Sequence, residues 1–229
     1  MNRKSSDPPP AVGSYGFKPP VGSDSLADHA DTVRTAAQST ILIGELHHRI
    51  QNTLAIVLAL SRLTARTVGS LDEFQLVFGQ RIEAMARTNG LLLQGQAQAV
   101  SVLSALETEL RPYLDDTGQV TLGGEDLKVS PEAALNLSLV FHELAANAVK
   151  YGALARRTGR LVVDCRAGPA GGEVHWKESV AAPLAPSTRQ GGGTLLITRL
   201  AKALGGAAHL DLRPDGLDAR ITFSLGGQP

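Results

Sequence analysis

Residues 141–154 read FHELAANAVKYGAL and contain the polar pattern that most strongly constrains the fold. We predict that they continue a helix beginning at Pro131, because proline at the first helical position has no amide to leave unpaired. Glu143 and Asn147 are four residues apart and Lys150 follows three later, so the three side chains are expected on one helix face. Mg²⁺ prefers oxygen ligands and keeps waters and phosphates in its shell, so Glu143 and Asn147 are candidate ligands and Lys150 is a candidate phosphate contact. A solvated helix face with incidental polar residues fits the same spacing.

A glycine-rich pattern follows at residues 189–206, RQGGGTLLITRLAKALGG. Gly191 and Gly193 precede a helix that we predict at 194–204. Glycine lets a backbone approach an anion closely, and the free amides and dipole of a helix N-terminus attract phosphate. A flexible loop gives the same glycine pattern, so the phosphate interpretation depends on its pairing with the Asn147 helix.

Two adjacent histidines lie in a third pattern, ELHHRIQNTLA at residues 45–55. Apolar residues fill most a and d positions of a heptad here, which favours a partner helix: Ile43, Leu46, Ile50, Val57 and Leu60. In this register His47 flanks the apolar seam, whereas His48 points away from it. Glu45 and Asn52 share the face of His48 and are candidates to orient its ring or hold its proton. The alternative is a pair of solvated histidines.

Composition narrows the class of protein. The 229 residues include 22 Lys plus Arg and 22 Asp plus Glu, so no basic surface for nucleic acid is indicated. Hydrophobic residues make up 43% and aromatic residues 4%, which favours helices and an α/β layer. Cys165 is the single cysteine, so an intrachain disulfide is excluded and a reducing compartment is expected. The N-terminus has no apolar signal segment, and the longest apolar run, residues 54–60, is too short to insert in a membrane. We therefore expect a soluble cytoplasmic protein.

The order of patterns predicts three regions. Residues 1–23 are rich in Pro, Gly and Ser and are expected to form a flexible arm. Residues 24–98 predict a helical hairpin whose second helix starts at a capping box, Ser70 to Glu73. An apolar stripe on that helix favours a four-helix bundle formed by two copies: Phe74, Phe78, Ile82 and Met85. Residues 99–229 predict an α/β domain with helices near 102–114, 131–150 and 194–204 and strands near 119–122, 161–166, 173–178, 208–212 and 219–225.

Four motifs in this order resemble the HWE family of two-component sensor histidine kinases. They are HRIQN at 48–52, FHELAANAVKYGAL at 141–154, WKE at 176–178 and GGGTLLI at 191–197. The family is named for residues that correspond to His142, Trp176 and Glu178 here. The resemblance extends over residues 41–225.

The resemblance implies a fold and a function. The fold is a dimerisation and histidine phosphotransfer hairpin, followed by an α/β sandwich ATP-binding domain of the GHKL type. The activity is a histidine kinase that phosphorylates itself with Mg-ATP and passes the phosphoryl group to an aspartate of a response-regulator receiver domain. The implied partners are a second copy of the chain, that receiver domain and a separate sensor or regulatory protein.

The resemblance also assigns roles to residues. His48 corresponds to the phosphoacceptor, with Glu45, Asn52 and Glu143 as further catalytic candidates. Asn147 corresponds to the Mg²⁺-binding asparagine, with Glu143 as a second ligand, and Glu178 to the acidic residue that recognises adenine. The remaining candidates for nucleotide binding are Lys150, Tyr151, Gly191, Gly193, Thr194 and Leu195.

The sequence departs from the family pattern at four places. Gln51 replaces a lysine usual in the first motif, and Val180-Ala181-Ala182 replaces a Gly-Gly-Pro run. Asn89-Gly90 replaces a frequent His-Asp pair, and no sensor domain is evident before the hairpin. These departures leave two alternatives: a phosphotransferase or adaptor that relays phosphate through His48 without ATP, and a scaffolding dimer.

Overall fold

The computed structural model describes residues 43, 44, 47, 50–94, 99–114, 118–168, 171–181 and 192–225. Backbone contacts divide the chain into two compact units, residues 1–48 and 49–229. In the first unit, Ile43, Gly44 and His47 are helical and exposed. The sheet and the long helices belong to the second unit.

Five helices and seven strands make up the described part of the second unit. Helix α1 covers residues 50–67. The further elements are, in chain order, α2 (Leu71–Gln94), β1 (Val100–Ser101), α3 (Val102–Leu110), a 3₁₀ turn (Arg111–Tyr113), β2 (Val120–Gly124), β3 (Lys128–Val129), α4 (Pro131–Lys150), a 3₁₀ turn (Ala153–Ala155), β4 (Arg160–Gly168), β5 (Gly171–Ser179), α5 (Gly192–Ala203), β6 (Ala208–Arg213) and β7 (Gly216–Phe223).

The hairpin of α1 and α2 turns at the predicted capping box. The Ser70 Oγ accepts a hydrogen bond from the Glu73 amide at 3.1 Å, and the Glu73 carboxylate accepts one from the Gly69 amide at 2.8 Å. Each side chain thus satisfies an amide that has no partner within the helix. None of the helices that the structure describes is long and apolar enough to cross a lipid bilayer.

A five-stranded mixed sheet has the strand order β2-β4-β5-β7-β6. Strands β2 and β4 are parallel, and the other neighbours are antiparallel. Because side chains alternate along a strand, Val163 and Trp176 point to a buried face while Val162 and Lys177 lie on the exposed face. The buried face and helices α3, α4 and α5 share one core, whose largest fully buried side chains include Trp176, Phe141 and Phe223. The predicted fold class, a helical hairpin followed by an α/β sandwich, is confirmed.

Helix α4 is the central element and begins where the sequence predicted. The Ser130 Oγ accepts a hydrogen bond from the Ala133 amide at 3.2 Å, and Pro131 occupies the first turn. Residues 134–141 are buried without interruption, because α4 lies between the sheet and other helices. Its surroundings therefore fix the orientation of the polar side chains in its second half.

The structure corrects several predicted boundaries. Helix α3 ends at Leu110 and not at 114, and a 3₁₀ turn follows because Pro112 has no amide for the helical pattern. The two-residue strands β1 and β3, which pair with each other, were not predicted. On α2, Met85 of the predicted dimer stripe is buried within this chain. The predicted 1–23, 24–98 and 99–229 regions stay predictions.

Candidate active site

Glu143, Asn147 and Gly193 lie together, as their motifs predicted. A Cβ placed on Gly193 would be 2.7 Å from Glu143 Oε2 and 3.5 Å from Asn147 Nδ2. The first distance is shorter than real Cβ contacts, so a side chain at this position would displace the Glu143 carboxylate. The first turn of α5, with its free amides, therefore faces the polar side of α4. The assignment of these residues to Mg²⁺ and phosphate stays a prediction.

Glu178 forms a buried carboxylate site beyond the C-terminal end of α4. It lies on β5 and is 5% exposed. Its Oε1 accepts a hydrogen bond from Trp176 Nε1 at 3.0 Å, and its Oε2 accepts one from the Ala153 amide at 2.8 Å. Burial raises the pKa of Glu178, although these two hydrogen bonds act in the opposite direction. A buried carboxylate with a raised pKa is a strong acceptor for a ligand N–H group.

The other predicted nucleotide contacts are more exposed. Lys150 is the last residue of α4 and is exposed, and Tyr151 is 71% exposed. Thr194 is half-buried on the first turn of α5, and Leu195 is exposed. Their roles stay predictions.

His48, Glu45 and Gly191 lie outside the described residues. Asn52, four positions after His48, donates a hydrogen bond from Nδ2 to Glu132 Oε2 at 3.3 Å. Glu132 is on the first turn of α4, fifteen positions before Asn147, which corresponds to about 22 Å along a helix axis. The described start of α1 is therefore far from the Asn147 end of α4.

An ion pair that the sequence analysis missed occupies Glu143. Arg81 of α2 donates from Nε to Glu143 Oε1 at 2.8 Å and from Nη2 to Oε2 at 3.0 Å. Its Nη1 donates to Thr64 Oγ1 at 2.6 Å, and Thr64 in turn donates to the Leu60 carbonyl at 2.7 Å. The side chains of Arg81 and Glu143 are 3% and 10% exposed. The available signal was weak: an arginine one position from the apolar Ile82.

A second missed cluster explains where His142 points. Its Nδ1 lies 3.2 Å from Glu109 Oε2, which also accepts a hydrogen bond from Arg87 Nη2 at 2.8 Å. Glu109 Oε1 is the one buried side-chain oxygen or nitrogen without a partner in the described part of the chain. A cavity of about 460 Å³ next to this cluster is lined by Lys150 as well, but by none of Glu143, Asn147 and Glu178. His142 thus belongs to a separate cluster from the predicted site residues.

A Mg²⁺ ion is compatible with the Asn147 environment. No group of three or more His, Cys, Asp or Glu side chains is placed to hold a metal ion in the residues that the structure describes. Mg²⁺ usually binds through one or two protein oxygens and completes its shell with phosphates and water. Asn147 has one such oxygen in its side-chain amide, which lies beside Gly193 in the first turn of α5.

Comparison with known proteins shows which proteins this chain is similar to. Residues 45–126 match the family model for the HWE histidine kinases. The chain is 29% identical over 198 residues to blue-light-activated histidine kinase 1 of Erythrobacter litoralis, covering 84% of this chain and 55% of the relative. It is 28% identical over 198 residues to the blue-light-activated histidine kinase of Brucella anthropi, covering 84% of this chain and 40% of the relative. The chain thus spans about half the length of the curated relatives it matches.

Solved structures give the same fold. The histidine kinase domain of the Erythrobacter litoralis EL346 blue-light activated kinase aligns with a TM-score of 0.53 at 14% identity, covering 75% of this chain and 94% of that domain. A structure of the EL346 kinase aligns with a TM-score of 0.55 at 17% identity, covering 81% of this chain and 59% of that chain. These structures support the fold alone. The matched family model and the two relatives show that the chain is similar to the HWE histidine kinases.

Proposed function

We propose that the chain is an ATP-dependent histidine autokinase. The observation that carries this proposal is the position of two sites along one helix. Gly193 and the first turn of α5 lie against Glu143 and Asn147, and the buried Glu178 lies just beyond the C-terminal end of α4. A nucleotide has two chemically different ends, a base with N–H donors and a charged phosphate chain. The two sites match these ends.

The adenine end depends on Glu178. Its two oxygens are held by the indole of Trp176 and the amide of Ala153, so the carboxylate has a fixed orientation. Each carboxylate oxygen accepts more than one hydrogen bond, which leaves capacity for an exocyclic amine. Gly152 contributes by lacking a side chain, because a Cβ there would be 1.8 Å from Glu178 Oε2.

The phosphate end depends on Asn147 and the start of α5. The amides of Gly193 and Thr194 belong to the first turn of a helix, where the dipole favours negative charge. Asn147 would hold Mg²⁺, with Glu143 as a second oxygen donor, and Lys150 would meet phosphate charge from the last turn of α4. The bound Mg²⁺ would neutralise charge that develops on the transferred phosphoryl group.

The proposed reaction transfers the γ-phosphoryl group of ATP to His48. The unprotonated ring nitrogen of His48 donates its electron pair to the γ-phosphorus, and the bond to the bridging oxygen breaks, so that ADP leaves with that electron pair. The proton on the other ring nitrogen passes to a base, for which Glu45 is the candidate. An aspartate carboxylate of a receiver domain then takes the phosphoryl group from His48. Neutral imidazole is the nucleophilic form, and its ordinary pKa near 6.5 keeps most of it neutral at pH 7.

The proposed partner in this reaction is a second copy of the chain. Three apolar side chains on α1 share one stripe and are more than half exposed: Ile50, Leu54 and Leu58. Burial of such a stripe against a second hairpin would form a four-helix bundle. Sedimentation equilibrium at micromolar concentration should show a dimer, and a monomer alone would contradict this assembly.

A relay that does not use ATP is the second candidate. It is favoured by the Arg81 ion pair, because both oxygens of Glu143 already accept hydrogen bonds from a guanidinium. In this alternative the hairpin exchanges phosphate with a receiver domain through His48, and the α/β domain serves as a structural support. The proposal does not include activation by blue light, since about half of each relative lies outside the match.

The test is labelling with γ-³²P-ATP and Mg²⁺. The wild type, His48→Ala and Asn147→Ala are compared, with His47→Ala as a control for loss of a neighbouring imidazole on the same helix. We expect acid-labile label in the wild type and in His47→Ala and none in the other two variants. The alternative outcome is a wild type that stays unlabelled by ATP but exchanges phosphate with a receiver domain phosphorylated by acetyl phosphate. That outcome would refute the kinase and support the relay.

A further inference from the structure

The contact between α2 and α4 overlaps with the candidate active site. Residues of α2 that face α4 are buried at helical spacing: Arg81, Ala84, Met85 and Thr88. Arg81 bonds to Glu143, and Thr88 Oγ1 donates to Ser138 Oγ at 2.5 Å, so α2 runs antiparallel to α4. We call this packing of α2 on α4 the docked arrangement. Its polar contact at Glu143 uses a residue of the predicted site.

The ion pair with Arg81 offsets the negative charge of Glu143. Both of its oxygens accept guanidinium hydrogen bonds, and the side chain is 10% exposed. A guanidinium that holds both oxygens also competes with any other cation for the charge of the carboxylate. Arg81 is itself fixed by Thr64 of α1, so both hairpin helices contribute to this contact. Another ligand takes the place of Arg81 on Glu143 only if this contact with α2 opens.

The described part of α1 has a defined position along α4. Asn52 contacts Glu132 at the start of α4, and Thr64, twelve positions later, is joined through Arg81 to Glu143. The described part of α1 therefore runs parallel to α4, with the Asn52 end about 22 Å along the helix axis from Asn147. The described start of α1 is thus distant from the proposed phosphate site on α4.

We propose that Arg81 is a positioning residue that withholds Glu143 from phosphoryl transfer while α2 is docked. This inference rests on the proposed kinase function. Docking of α2 and use of Glu143 at the phosphate site exclude one another. A guanidinium forms two parallel hydrogen bonds to a phosphate, as it does to a carboxylate. A bound triphosphate is therefore an alternative partner for Arg81 when its ion pair with Glu143 opens. The free energy lost when two charges leave water offsets much of the attraction within a buried ion pair. The net stabilisation of the docked arrangement is therefore small enough for it to open and close.

Two variants weaken docking by different routes. Arg81→Lys keeps the charge but cannot make the three bonds to Glu143 and Thr64. Thr88→Val removes the hydrogen bond to Ser138 and leaves Glu143 untouched, while Ser138 still donates to the Ala134 carbonyl at 2.9 Å. Thr108→Val is the matched control, because its hydroxyl bonds within α3 to the Ser104 carbonyl at 2.8 Å.

Three measurements on the full chain test the proposal: the initial rate of histidine labelling, the Kd of Mg-ADP by calorimetry and hydrogen exchange of the α2 amides. We expect Arg81→Lys and Thr88→Val to be labelled about fivefold faster than the wild type. Loss of one typical hydrogen bond raises the undocked population by about this factor. The α2 amides should exchange faster in both. The Kd of Mg-ADP should not rise by more than about threefold over the wild type, because neither variant touches the Glu178 site and the release of Glu143 adds an oxygen donor for Mg²⁺. Thr108→Val should behave as the wild type does.

Slower or unchanged labelling of the two docking variants, at preserved affinity for Mg-ADP, would overturn the proposal. A wild type that neither binds Mg-ADP nor becomes labelled would instead refute the kinase function. Hydrogen exchange of the α2 amides tests separately whether the ion pair holds α2 on α4. Faster exchange of α2 in Arg81→Lys supports the role of the ion pair in docking, and unchanged exchange rejects it.

Discussion

Gly152→Ala is expected to be one of the most damaging small substitutions in the α/β domain. A Cβ at this position would lie 1.8 Å from Glu178 Oε2 and 2.9 Å from the Ala148 Cα. The φ of Gly152 is −102°, outside the left-handed region that favours glycine. The constraint is space, and the carboxylate of Glu178 must leave its position to provide it.

The cost follows from the bonds that Glu178 would lose. It accepts hydrogen bonds from Trp176 Nε1 at 3.0 Å and from the Ala153 amide at 2.8 Å. A hydrogen bond to a charged group contributes about 1.5–3 kcal/mol, so the loss of both corresponds to about 3–6 kcal/mol. For a chain of this size each kcal/mol lowers Tm by about 2–4 °C. We therefore expect the Tm to fall by roughly 6 °C or more.

Urea unfolding followed by Trp176 emission measures this cost, since Trp176 is the single tryptophan of the chain. Gly79→Ala on α2 is the matched control. No atom lies within 4 Å of its added Cβ, and alanine should stabilise a helix interior by about 0.5–1 kcal/mol. In a Glu178→Ala background, Gly152→Ala should cost less, because the nearest clash is gone. A cost below about 1 kcal/mol, or an equal cost in both backgrounds, would refute this reasoning.

Three further predictions concern pH, capping and thiol chemistry. Burial alone would raise the pKa of Glu109, but hydrogen bonds with His142 and Arg87 outweigh it and hold the pKa below the ordinary 4.5. The stability difference between the wild type and Glu109→Gln should therefore be full at pH 7 and disappear as pH falls through the folded-state pKa, and a pH-independent difference in urea unfolding would contradict this. Ser130→Ala should cost about 1 kcal/mol in the same assay and Ser130→Asp almost nothing, because the lost group is the N-cap of α4. Burial raises the pKa of Cys165 to about 11, so iodoacetamide at pH 8 should label it only after unfolding, and rapid labelling of the native chain would count against this.

Local sequence rules predicted most of the secondary structure. Ser70 and Glu73 form the capping contacts at the start of α2, and Pro131 opens α4, because these effects involve neighbours within one turn. The alternation around Trp176 predicted β5 for the same reason. The strands β1 and β3 were missed because two residues are too few to show a periodic pattern.

The candidate site was predicted in part. Glu143, Asn147 and Gly193 were named from their motifs, and the structure brings them together. Arg81 was missed, since its ion pair joins residues 62 positions apart and α2 was read as a dimer helix. The bond between His142 and Glu109, 33 positions apart, was missed for the same reason.

The sequence alone determined the order of the helices and of the five strands of the large sheet. It also determined the start of α4 and the placement of Asn147 and Glu143 on one helix face, because each of these depends on spacing along a single element. Tertiary structure alone decided what those side chains meet. The guanidinium of Arg81 lies on Glu143, the indole of Trp176 lies on Glu178, and α5 begins against Asn147. These contacts join distant parts of the chain, and their energies depend on burial and close approach, which no local pattern specifies.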